Sequence, residues 1–145
     1  MKRFRFPLDA ALLLRRRRVE VEESQYRQIA NALGAVAAAA RQLASEVQAA
    51  EEDVVGISVS TATQLQSLDR FRSAAARRLR EFEAKSAAIR RDLARQQQRL
   101  VDARRDEELL LKLRAKARAQ WELDADKELQ DIADEAYLSQ WVRLR

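Results

Sequence analysis

The chain has 145 residues, with no cysteine, no histidine, two glycines and one proline; 35% of it is charged, 6% is aromatic, and the net charge is +5. Lacking cysteine and histidine, it has no disulfide framework, no thiolate metal site and no imidazole base. With so little turn chemistry it cannot connect the several helices of a compact bundle.

Alanine, leucine, arginine and glutamate dominate, which is the composition of coiled coils. The core is therefore expected to be a narrow seam between helices. The opening Met1-Lys2-Arg3-Phe4-Arg5 has the charge of a signal peptide's first region. The apolar run that follows, Ala10 to Leu14, is too short for one and leads into four arginines. No apolar run approaches the ~20 residues of a membrane span. The expectation is a soluble, unprocessed chain.

Pro7 stands just before the first apolar repeat and suits the first turn of a helix. From Leu8 the apolar positions alternate by four and three through Leu12, Val19, Tyr26, Ile29, Leu33 and onward to Val54. This is a heptad seam, and it predicts a helix over about residues 7–54. Only Arg15 and Glu22 interrupt the seam with charge.

From Val54 to Thr61 the pattern stops. Val54-Val55-Gly56-Ile57-Ser58-Val59-Ser60-Thr61 carries β-branched residues, a glycine and hydroxyls, and no charge. β-branched residues lose χ1 freedom in a helix, and glycine costs about 1 kcal/mol there against alanine. Serine or threonine can cap a new helix. The spacing predicts a bend at about residues 55–61.

A second seam follows: Leu65, Leu68, Arg72, Ala75, Leu79, Phe82, Ser86, Ile89, Leu93, Gln96, Leu100, Ala103, Glu107 and Leu110. It predicts a second helix over about residues 62–142, roughly 120 Å long at 1.5 Å per residue. The fold class expected is all-α, a long antiparallel two-helix coiled-coil hairpin forming one domain over residues 1–145. Folding about residue 57 places Leu8 beside about residue 106 and Leu33 opposite about residues 79–82. The stretch from about 110 to 145 is then an unpaired C-terminal helical extension. Such a helix is marginal in water and is left to fray, to dimerise or to bind another protein.

Charge alternates in blocks. Residues 1–18 carry seven basic and one acidic side chain, residues 19–60 two and seven, residues 61–118 sixteen and eight, and residues 119–145 three and seven. Such blocks favour a defined register and charged partners. The run Arg15-Arg16-Arg17-Arg18 is offset by Glu20, Glu22 and Glu23 within two turns, and the basic stretch from Arg70 to Arg105 is broken by acids. Neither forms a continuous phosphate track, so nucleic acid is not expected as a partner. The acids Asp124, Asp126, Glu128, Asp131, Asp134 and Glu135 lack the glycine-bearing pattern of a calcium loop and read as a solvated helix face. No motif for phosphate binding or catalysis is present, so the chain is expected to have no enzymatic activity and no cofactor. Phe4 and Phe6 read either as a cap on the open end or as a docking arm. Trp121 and Trp141, large aromatics in the extension, read as interface residues.

Phe4-x-Phe6-x-Leu8 followed by Leu12-Leu13 and an Arg/Glu-rich helix, with Leu68-x-x-Phe71 soon after the bend, resembles the FliJ family of flagellar type III export. Gln130 and Asp134-Glu135 are similar to that family's C-terminal signature, although Leu129 stands where the family usually has glutamate. The resemblance implies a stalk and chaperone-handling protein, cytoplasmic and peripherally associated with the inner membrane. It implies three partners: the hexameric export ATPase, the membrane export gate and export chaperones. Phe4, Phe6, Leu8, Trp121 and Trp141 would then face the ATPase ring. Leu65, Leu68, Phe71 and Arg72 would face the gate. A second copy, held through the C-terminal extension, is a further partner to test. The injectisome stalk proteins are similar enough to share this description, and a generic coiled-coil scaffold or dimerisation protein is the competing class.

Overall fold

The computed structural model describes residues 3–57, 59 and 61–143. It is all-helical. Helix α1 spans Asp9–Val55 and helix α2 spans Ala62–Arg143, and the two pack against each other. Among the described residues no helix is long and apolar enough to cross a membrane.

Both helix starts have local causes. Phe6-Pro7-Leu8-Asp9 is a turn closed by the Asp9 N–H donating to the Phe6 carbonyl at 3.2 Å. Proline favours the second position of such a turn because its φ is already set. Pro7 therefore precedes α1 rather than sitting in its first turn. At α2, the Gln64 N–H donates to Thr61 Oγ1 at 3.3 Å, and the Thr61 N–H donates to Gln64 Oε1 at 2.9 Å. This is a reciprocal capping box, which satisfies two backbone donors that the first turn would leave free. Ser58 and Ser60, the other capping candidates, lie outside the described residues. At the end of α1 the Gly56 N–H still donates to the Glu52 carbonyl at 2.9 Å. No described residue, Gly56 included, has a positive φ, so α1 stops without a left-handed glycine cap.

The chain divides into two compact units, one of Met1–Glu20 with Val101–Arg145 and one of Val21–Leu100. In the first, Leu12, Val19, Ala103 and Ala125 are buried. Arg15 Nη1 meets Asp106 Oδ2 at 3.0 Å, Arg16 Nε meets Glu107 Oε1 at 3.2 Å, and Arg114 Nε meets Asp9 Oδ1 at 3.3 Å. In the second, Ala75, Gln96 and Leu100 are buried, and the seam positions from Tyr26 to Val54 and from Leu79 to Leu93 are half-buried. Arg72 Nε meets Glu51 Oε1 at 3.0 Å, and Gln96 Nε2 donates to the Glu22 carbonyl at 3.1 Å and to its carboxylate.

Three expectations need correction. Leu8 lies beside Leu113, not residue 106, since both line one groove. The displacement is one heptad, which leaves both apolar seams in phase and is therefore invisible to their periodicity. In the Val21–Leu100 unit, the pairs Glu22–Gln96 and Glu51–Arg72 put Leu33 opposite the region of Ser86 and Ile89 rather than residues 79–82. Finally, the stretch from about residue 110 is not wholly without a partner. Leu110, Ala117 and Trp121 are half-buried and Ala125 is buried; only from Asp126 onward is every described residue exposed. Phe4 packs on Trp121, and Phe6 lines one groove with Ala117.

Candidate partner-binding surfaces

The segment Arg3–Leu8 is too short to form a helix and carries aromatics on alternate positions. It lies along α2. Phe4 packs on Trp121 with ring centroids 5.9 Å apart and planes inclined at 57°, within the tilted range that aromatic quadrupoles favour. Phe6 is buried, and with Pro7, Leu8, Leu113, Ala117 and Gln120 it lines a groove of about 490 Å³. Phe4 also borders a smaller groove of about 190 Å³ against Leu111, Arg114 and Arg118.

Four of the five residues assigned to the ATPase-facing set are therefore brought together: Phe4, Phe6, Leu8 and Trp121. Leu8, read as a seam residue, is 43% exposed and forms the groove's rim. Trp141 is not part of the cluster. It lies twenty residues beyond Trp121 on the same helix, ~30 Å along its axis, and is 55% exposed. The description of Trp121 as a residue of an unpaired tail is corrected, because the N-terminal arm covers it.

In the Val21–Leu100 unit, Leu68 and Phe71 come together with Ala50, Val54, Gln64 and Ser67 around an open groove of about 340 Å³. Leu68 is half-buried and Phe71 is 38% exposed. Val54 and Leu68 form the apolar floor, and the capping residue Gln64 stands at the rim. Leu65 and Arg72 do not line this groove. Leu65, read as a seam position, is exposed, because it lies in the first turns of α2 and α1 has already ended at Val55. Arg72 is also exposed, and its guanidinium reaches across to Glu51.

The surfaces are electrostatically patterned. Arg15 and Arg18 share Asp106, and Arg16 takes Glu107, so the arginine run is committed largely to α2's acids. The Lys112 ammonium donates to Glu108 at 2.8 Å and, with its charge, holds that carboxyl below the usual carboxylate range. Arg78 stacks over Phe82 at 5.1 Å from the ring centroid. Among the described residues no group of three or more acidic, histidine or cysteine side chains gathers as a metal site.

Sequence reasoning missed the docking of the arm against α2 beyond Leu110. The signal was present in Phe4-x-Phe6 standing five or fewer residues before α1, within reach of the two helical turns that follow Leu113. The chain matches no protein-family model, no curated protein and no solved structure.

Proposed function

We propose that this chain is a non-enzymatic stalk of a type III protein-export apparatus, of the flagellar kind. Its two helices form an antiparallel coiled-coil hairpin. The unit that carries the N-terminal arm binds the hexameric export ATPase, and the groove beside the helix connection is offered to the membrane export gate.

The observation that carries this reading is the arm. The motif Phe4-x-Phe6-x-Leu8, the part of the sequence most similar to the FliJ family, is folded on α2 at Leu113 to Trp121. It makes one apolar surface from the N-terminal arm and the second half of α2, which suits a stalk whose open end enters a ring. Two further features support it. Within each unit, the α2 partner numbers fall as the α1 numbers rise, from Asp9–Arg114 to Arg15–Asp106 and from Glu22–Gln96 to Glu51–Arg72, as antiparallel helices require. A two-stranded seam also has the stiffness needed to couple two partners.

The test is co-elution of the purified chain with the export ATPase of the same cell under conditions that form hexamers. The reading expects one chain per six ATPase subunits, and loss of the complex on Phe4→Ser. A chain that captures no ATPase while remaining folded is a two-helix scaffold instead.

A further inference from the structure

We infer that the last five turns of α2, residues 126–143, are a docking face for a basic amphipathic helix of another protein. This does not depend on which apparatus the chain serves.

Two rows of side chains run along this part of α2. The apolar row of Trp121 and Ala125, covered within the chain, continues at helical spacing through Leu129, Ile132 and Ala136, all exposed. One residue ahead of each of the last four stands an acid: Asp124, Glu128, Asp131 and Glu135. The acids therefore form an unbroken edge to the apolar row. Residues 126–143 carry five acidic and two basic side chains. Within the described residues Glu128, Asp131 and Glu135 have no ion-pair partner.

The same helix shows what answers such a face. Earlier in α2, between Ala103 and Leu110, the seam position Glu107 is acidic and Asp106 stands one residue ahead of it. There α1 covers the apolar row and supplies Arg15, Arg16 and Arg18 to the acids, at 3.0 to 3.8 Å. The exposed face repeats that pairing of an apolar row with acids, and none of its described residues is buried. A second copy of the same segment is a poor occupant, because it would set one acidic edge against another. A helix with an apolar stripe and lysine or arginine along its flank restores both halves of the pattern.

The experiment uses the full chain and two labelled synthetic three-heptad peptides, with leucine at the seam positions and either lysine or glutamate at the flanks. The expected result is saturable binding of the lysine peptide that weakens with salt, with the glutamate peptide at least tenfold weaker. Asp131→Lys combined with Glu135→Lys should reverse this preference, and Ile132→Ser should weaken lysine-peptide binding about tenfold. Both variants should melt as the unaltered chain does, since these positions are exposed. Equal binding of the two peptides, binding of neither, or indifference to Ile132→Ser overturns the inference. So does a dimer in sedimentation that Ile132→Ser dissociates, which would make a second copy the occupant.

Discussion

Gln96 donates through Nε2 to the backbone carbonyl of Glu22 at 3.1 Å, and it is buried. Both residues interrupt the apolar seams of their helices, and the structure places the two interruptions together. Three further interruptions, Arg15, Glu107 and Arg72, each pair with a charged residue beside the opposite seam: Asp106, Arg16 and Glu51. Apolar heptads make helices associate but tolerate shifts of whole heptads, whereas a polar residue in the seam favours the alignment in which it is satisfied.

Gln96→Leu should therefore preserve or raise the melting temperature while losing the single alignment. Spin labels at exposed Gln28 and Arg91, both in the Val21–Leu100 unit, should give one narrow distance distribution in the parent and a broadened one in the variant. Gln96→Ala, which leaves a gap and an unanswered Glu22, should instead cost about 1–3 kcal/mol in denaturant unfolding. An equally narrow distribution in Gln96→Leu would show that the pair does not set register.

Gly34 lies inside α1 on an exposed position, and a Cβ built there meets nothing within 4 Å. Gly34→Ala should stabilise the chain by up to about 1 kcal/mol through helix propensity alone. Thermal melting followed by far-ultraviolet circular dichroism should rise by a few degrees; a lower midpoint would mean the glycine serves a contact with a partner or a second conformation.

Thr61→Ala removes the side-chain half of the capping box at α2. The expected cost is about 0.5–2 kcal/mol, with faster amide exchange confined to the first turn around Gln64 and Leu65. Thr61→Ser should retain most of the protection. Loss of protection throughout α2, or no loss at Gln64, would contradict a local capping role.

Leu12 is 3% exposed and Leu14 is 66% exposed, two residues apart on one helix. Leu12→Ala should cost about 2–5 kcal/mol as a buried large-to-small change, and Leu14→Ala should shift the midpoint little. Equal effects would place the seam elsewhere. Phe71→Ala, at a groove rim rather than in the seam, should also leave melting nearly unchanged. If the groove is the gate-binding surface, that substitution should weaken gate binding by the ~2 kcal/mol typical of an aromatic anchor.

The helices were legible in the sequence because the apolar spacing and the β-branched, glycine-bearing stretch from Val54 to Thr61 report directly on local backbone preference. The seam positions Leu12, Val19, Ala75, Leu100 and Ala103 are among the buried residues for the same reason. The one-heptad offset of Leu8 against α2 was not legible, because periodicity is unchanged by a shift of its own period. It is encoded in pairs such as Arg15–Asp106 and Gln96–Glu22, far apart in sequence, in which Arg15, Gln96 and Glu22 read singly as defects in the seam. The packing of Phe4 on Trp121 escaped because Phe4 lies outside every helix and its partner lies more than a hundred residues on. At the groove of Leu68 and Phe71 the two residues were legible as neighbours on one helix face. Its other wall, Ala50 and Val54, required the register.

The central claim is that the unit containing both sequence ends meets the export ATPase while the connection between helices does not. Site-directed photocrosslinking tests it most directly, with a photoreactive residue placed either at Leu123, exposed in the first unit, or at Leu65, exposed beside the connection. The account predicts an ATPase adduct from Leu123 and none from Leu65. An adduct from Leu65 alone, or from neither position in a cell assembling the apparatus, would contradict it.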